Sequence, residues 1–212
     1  MVKYRRTHQF SSCATTYALA HEDKVVLLTA DSDDGFFLDL NAPENQAEYK
    51  MPLLKKAIPV FFDHRYIVVA EVHSNGPQTV LLHDINTSKV AHTFKCHRQD
   101  KFYWGFQLSG NQMAYVTNQN RLKVVEIGEP WTLVHRLDGA GGSRILTFLF
   151  DAQQDVWTLN SDHSLNRWHQ GTLTQRWAVD GDFDAGYPHI LYRCGSYMFY
   201  SADDGVYALK VE

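Results

Sequence analysis

The feature that most constrains this chain is a strand pattern that returns every 41 to 46 residues. Short runs rich in β-branched and aromatic residues are bounded by Gly, Asp, Asn and Ser, which is the pattern of strands and turns. Five such runs align after a turn: Lys24–Thr29, Tyr66–Ala70, Gln112–Thr117, Asp155–Asn160 and Ser196–Ser201. Their starts lie 42, 46, 43 and 41 residues apart. A second run follows each across a short polar turn: Phe36–Leu40, Val80–Asp84, Leu122–Glu126, Leu165–Trp168 and Val206–Leu209. These starts are 44, 42, 43 and 41 residues apart, so a second landmark gives the same spacing. No window of a dozen residues shows sustained helical spacing of apolar positions. A period of about 40–45 residues with four strands per unit is the signature of propeller blades, sheets that bury their faces by stacking on their neighbours.

The spacing therefore predicts an all-β chain, a β-propeller of about five four-stranded antiparallel blades at roughly 13–52, 57–95, 101–138, 143–180 and 186–212. The last unit has room for three strands only. Residues 2–8, Val2-Lys3-Tyr4-Arg5-Arg6-Thr7-His8, precede the first unit and have no blade of their own. The economical expectation is that they complete the last blade and cover its open edge; a blade supplied by a partner is the other way to finish so small a ring. No linker-like stretch divides the 212 residues, so a single domain is expected. Tyr66-Ile67-Val68-Val69-Ala70, continuously apolar, is expected to be buried on both faces.

Composition excludes several classes. An apolar share of 44% with 21% charged residues is that of a globular protein, not of a disordered or collagen-like chain. No apolar run approaches the ~18 residues of a membrane span, and the basic start lacks the apolar core of a signal peptide. Three scattered cysteines, Cys13, Cys96 and Cys194, make no disulfide framework; the expectation is a reducing compartment, cytoplasmic or nuclear. The net charge of −4 argues against wholesale binding to nucleic acid, and DNA is not an expected partner. Charge is uneven, with −3 over residues 1–50, +2 over 51–100, +2 over 101–150 and −5 over 151–212.

Several segments resemble WD repeats. Leu82-His83-Asp84 through Phe94-Lys95-Cys96-His97 is similar to the family's segment from its Trp-Asp pair to its Gly-His pair, with His83-Asp84 and Cys96-His97 in those places. Asn160-Ser161-Asp162-His163-Ser164-Leu165-Asn166-Arg167-Trp168 resembles the family's turn with its Asp and the following strand with its Trp. Thr29–Gly35 and Ser201–Gly205 are of the same type. Only Trp168 stands where the family Trp belongs, and the family's buried network of His, Asp, Ser/Thr and Trp is complete in no unit. The resemblance implies a divergent WD-like propeller.

No unit carries a recognisable catalytic constellation. A propeller glycosidase needs two carboxylates about 5–9.5 Å apart at the channel. The innermost strands, approximately Ala14–Leu19, Pro59–Phe62, Phe102–Leu108, Arg144–Phe150 and His189–Arg193, contain no Asp or Glu. Asp63 and Asp151 recur at the equivalent turn of two units, which reads as turn chemistry. His92, Cys96 and His97 lack a second cluster to complete a zinc set. Gly139–Arg144 is Gly-rich but lacks the ending of a phosphate loop, and no G-x-S-x-G elbow occurs. No catalytic residue, cofactor or metal ligand is assigned.

What remains is a surface. In a propeller the loops between blades and the turns between second and third strands emerge on one face. That face would carry Lys95, His97, Arg98 and Lys101, with Tyr103 and Trp104 entering the next strand, and Arg144, Asp162, His163, Tyr187 and His189 nearby. Arg, Trp and Tyr are the types enriched at interface hot spots. The expected function is a non-catalytic protein-interaction module, a scaffold subunit of a multiprotein complex with one or more protein partners. The alternative is an RNA-binding accessory subunit using the Lys95–Trp104 segment, since basic residues beside aromatics suit single-stranded RNA. A five-bladed glycosidase is the disfavoured third reading.

Overall fold

The computed structural model describes residues 16–21, 24–29, 34–39, 47–50, 57–63, 65–71, 79–87, 89–96, 102–139, 142–151, 153–183 and 189–211. Among them, nineteen strands form five antiparallel sheets, each a simple up-and-down meander. The first sheet holds β1 (Thr16–His21), β2 (Lys24–Thr29), β3 (Asp34–Asp39) and β4 (Ala47–Lys50). The second holds β5 (Ala57–Phe62), β6 (Tyr66–Glu71), β7 (Thr79–Asp84) and β8 (Lys89–Lys95). The third holds β9 (Phe102–Ser109), β10 (Gln112–Thr117), β11 (Arg121–Glu126) and β12 (Thr132–Asp138). The fourth holds β13 (Ile145–Phe150), β14 (Val156–Asn160), β15 (Ser164–His169) and β16 (Thr172–Ala178). The fifth has three strands, β17 (Leu191–Cys194), β18 (Tyr197–Ala202) and β19 (Gly205–Lys210). Among the described residues, every repeat landmark in the sequence overlaps a strand. The expected closing strand, residues 2–8, lies outside the described residues. Among the described residues no helix is long and apolar enough to cross a membrane.

The chain divides into two compact units, residues 1–75 with 79–93, and residues 76–78 with 94–212. In the first unit, Tyr66–Ala70 is buried along its whole length, as its unbroken apolar run requires, and Val80, Leu81 and Leu82 of β7 are buried beside it. Burying a Val, Leu or Ile side chain is worth roughly 1.5–3 kcal/mol, so these two strands anchor their sheet.

The second unit has two apolar layers. One joins the third and fourth sheets through Ala114, Val116, Leu122 and Val124 on one side and Ile145, Phe148, Phe150 and Val156 on the other. The next joins the fourth and fifth sheets through Leu146, Trp157, Leu159 and Leu165 against Leu191, Met198 and Tyr200. Strand β14 lies buried from end to end because its alternate residues enter both layers. Strands β12 and β16, outermost in their meanders, are largely exposed. Gly105 has a φ of +68°, and a Cβ there would stand 2.7 Å from Phe148, so this close approach of two sheets requires glycine.

Turn chemistry repeats with the strands. Asp63 accepts the backbone N–H groups of Arg65 and Tyr66 at 2.7 and 2.6 Å. Asp151 does the same for Gln153 and Asp155 at 3.0 and 2.9 Å. Both turns thus satisfy their own backbone donors, which is why Asp recurs there.

The fourth sheet keeps part of the WD-type network. Trp168 Nε1 donates to Thr158 Oγ1, and Asn160 Nδ2 also reaches that hydroxyl and Ser164 Oγ. Ser164 Oγ in turn donates to Asp162. In the second sheet, His83 occupies the Trp position. It is buried, its Nδ1 has no partner, and burial lowers its pKa from the ordinary 6.5.

Candidate interaction site

Alternation of hairpins gives each sheet two turn ends. The expected site residues belong to the end that carries the β15 entry turn. Arg144, Asp162, His163 and His189 do gather there in the second unit. The Arg144 N–H donates to Ser161 Oγ, and the Ser161 N–H to the Arg144 carbonyl. Asp162 accepts from Arg176 at 2.7 Å as well as from Ser164. His163, at φ 58°, and His189 both pack edge-on against Phe183, with ring centroids 5.3 and 5.5 Å away. His189 is buried, and its Nδ1–H donates to the Ser201 carbonyl at 3.1 Å. These polar groups are therefore largely spent on holding turns together. Lys95 ends β8 and is exposed. His97, Arg98, Lys101 and Tyr187 lie outside the described residues, and of Tyr103 and Trp104 only the β9 backbone is described.

The opposite end of the fourth and fifth sheets carries a constellation that the sequence did not disclose. Asp155, whose side chain is 2% exposed, holds a guanidinium and an imidazole on different oxygens. Its Oδ2 accepts Arg167 Nε at 2.9 Å and a terminal guanidinium nitrogen at 2.6 Å. Its Oδ1 lies 2.6 Å from His169 Nδ1. Burial alone would raise the Asp155 pKa, but the hydrogen bonds from His169 and Arg167 hold it below the ordinary carboxylate value. Asp151, after serving its turn, uses its second oxygen to accept Trp157 Nε1 at 3.0 Å and an Arg193 guanidinium nitrogen at 3.2 Å. The guanidinium carbons of Arg167 and Arg193 stand 5.2 and 5.3 Å from the ring of fully buried Trp157. Cation–π attraction thus adds to each ion pair.

These groups border an open cleft of about 530 Å³, lined by Leu149, Gln153, Arg167, Tyr192 and Arg193 among others. A second cleft of about 400 Å³ lies between the third and fourth sheets at the same end, where His169 meets His135, Gln112, Gln154 and Gln170. A guanidinium oriented by a buried carboxylate is an organised donor for carboxylates and carbonyls. An imidazole held by a carboxylate through Nδ1 keeps Nε2 to exchange a proton or a hydrogen bond. Among the described residues, no three His, Cys, Asp or Glu side chains gather as a metal site would require. The signal available in the sequence was weak: Asp151 was legible only as a turn residue, and nothing in one strand says that Arg193, 42 positions on, returns to it.

The sequence matches no protein-family model and no curated protein. Its fold is matched in solved structures. The β-propeller domain of Myceliophteria thermophila Cps50 (Swd1) superposes with a TM-score of 0.62 at 10% identity, over 90% of this chain and 67% of that one. KlAtg21, in its complex with the coiled-coil of AgAtg16, gives 0.62 at 10% identity over 91% and 65%. A chain of the mitotic checkpoint complex gives 0.59 at 9% over 100% and 69%. Two other matched chains, a computationally designed protein and Kluyvelomyces marxianus Hsv2, are spanned over 57% and 58% of their length, less than two thirds. Fold similarity at such identities establishes a β-propeller fold and nothing about activity.

Proposed function

We infer that this chain is a non-catalytic protein-interaction module, and that its contact surface is the Asp151–Arg193 end of the fourth and fifth sheets. The observation that carries this reading is the pair of guanidiniums, Arg167 and Arg193, each tied to an acidic side chain and laid on Trp157, beside a cleft with exposed Tyr192 at its rim. Arg side chains held in place by ion pairs lose little entropy on binding, and Arg and Tyr are types enriched at hot spots. The donors still facing solvent suit an acidic side chain or the carbonyls of an extended segment. Two structurally similar chains were solved with protein partners, a coiled-coil in one case and a checkpoint complex in the other, which supports a scaffold role for this architecture.

The test is affinity purification of the tagged chain from its native source, wild type beside Tyr192→Ala and Arg193→Ala. A stable protein partner retained by the wild type and lost from both variants is the expected result. A partner set unchanged by both variants overturns this surface. Substrate turnover by the purified chain, abolished by His169→Ala, overturns the non-catalytic reading.

A further inference from the structure

The second cleft, between the third and fourth sheets, is bordered by four glutamines. Gln112 comes from β10, Gln153 and Gln154 from the β13–β14 turn, and Gln170 from the β15–β16 turn. Among the described residues no Asp, Glu, Lys or Arg lines it. Among those residues, too, the side-chain amides of all four glutamines have no hydrogen-bond partner. Gln154 and Gln170 are exposed and take a left-handed backbone, with φ of 63° and 48°. Gly171 follows with a φ of +79°, and a Cβ there would stand 2.7 Å from His135 Nδ1. Glycine thus lets the His135 ring lie against the turn that carries Gln170. The cleft is rimmed by amides, each offering two donors and a carbonyl acceptor.

Elsewhere in the same unit, side-chain amides of this kind already hold extended backbone. Gln107 Nε2 donates to the Phe148 carbonyl at 2.8 Å, and its Oε1 accepts the Phe150 N–H at 2.6 Å. Asn120 repeats the pattern where the chain enters β13: its Nδ2 donates to the Ser143 carbonyl at 3.2 Å and its Oδ1 accepts the Ile145 N–H at 3.0 Å. Each amide reads the carbonyl of one residue and the N–H of the residue two further on, an edge that extended chain presents whatever its side chains. The two clefts also adjoin. Gln153 lines both, and Asp155 holds Arg167 of the first on one oxygen and His169 of the second on the other. We propose that the second cleft takes the backbone of an extended, uncharged segment of a partner protein, held by Gln112, Gln154 and Gln170, and that this segment runs on into the Arg167–Arg193 cleft. The inference rests on that first cleft being the contact surface. Stacked sheets lie about 10 Å apart, so about three residues of extended chain bridge the two clefts. A charged side chain of the segment would find no counter-ion among the glutamines, which is why the stretch lying there is uncharged.

The probe is a display library of random peptides of about twelve residues, which reach ~40 Å when extended, selected on the full chain. An enriched peptide is then titrated against the wild type, Gln154→Ala, Gln170→Ala and Arg193→Ala. Both glutamines are exposed turn residues, so their variants should melt as the wild type does. Each should weaken binding by about fivefold or more. Methylating single backbone nitrogens of the uncharged stretch should weaken it by about tenfold at alternate positions, because alternate N–H groups face the same edge. Alanine at those positions should change it little. An enriched peptide indifferent to both glutamine variants, or to backbone methylation, overturns the inference; if that peptide is lost with Arg193→Ala, the proposed function stands. Loss with the glutamine variants but not with Arg193→Ala supports the backbone site and overturns the placement of the contact surface in the first cleft. A library that yields no enriched peptide overturns the inference. An oligouridylate bound instead, and lost with the same variants, would make the cleft a nucleic-acid site.

Discussion

The indole Nε1–H of Trp168 donates to the hydroxyl of Thr158 across 3.1 Å, tying β15 to β14 from the side chain as well as the backbone. Thr158 is fully buried, so water does not replace it as an acceptor once it is gone. Thr158→Val keeps the shape and leaves the indole unpaired, which should lower stability by about 1–2 kcal/mol, whereas Thr158→Ser should recover most of that. Urea unfolding checks this as a drop in midpoint at unchanged slope.

Asn166 presents the opposite case. It lies on β15 with no exposed surface, and neither its Nδ2 nor its Oδ1 has a hydrogen-bond partner. Two unsatisfied groups desolvated together are a standing penalty, while an apolar group of similar size carries none. The corresponding position of β7 holds Leu81. Asn166→Leu is therefore expected to raise stability by about 1–3 kcal/mol, read as a higher melting temperature. A fall in that temperature would show that the amide is satisfied in solution.

Removing the Asp155 charge strands the guanidinium it serves. Asp155→Ala leaves Arg167, 27% exposed, beside an empty acceptor site, and should cost about 2–4 kcal/mol. The pH dependence has a definite sign. The folded-state pKa of Asp155 lies below its unfolded value, so its contribution is full above the ordinary carboxylate range and is lost as pH falls through the lowered value. Acid titration of stability, wild type against Asp155→Asn, should show the wild type losing more as pH falls below about 4.

His83 adds a pH dependence nearer neutrality. Its pKa is lowered by burial, so the unfolded chain binds the proton more readily than the folded one. Stability from this group is full above about 6.5 and is lost as pH falls below it. Denaturant midpoints at pH 8 and pH 5 should differ less in His83→Leu than in the wild type. His135, whose pKa is also lowered by burial, should retain part of the slope.

The strands were legible because their chemistry is local. Gln112–Thr117 and Lys24–Thr29 can be read from alternation and turn residues alone, and both are strands with those bounds. The aspartates at positions 63 and 151 were legible as turn residues for the same reason: their acceptors serve donors two to four residues away. The contacts that Asp151, Trp157 and Arg193 make across two sheets were not. The sequence offered Arg144, Asp162, His163 and His189 as residues of loops and strand starts around one face, beside the basic and aromatic Lys95–Trp104 segment. In the folded unit Asp162 turns to Arg176 and His189 to Ser201.

The amino-acid sequence by itself determined that this chain is a series of antiparallel meanders about 42 residues apart, since period-two burial and turn chemistry act over a few residues. The tertiary structure alone decided which polar groups hold turns and which meet across two sheets. Arg193 meets Asp151 and lies over Trp157 only because the fourth and fifth sheets stack face to face, bringing together charges 42 residues apart.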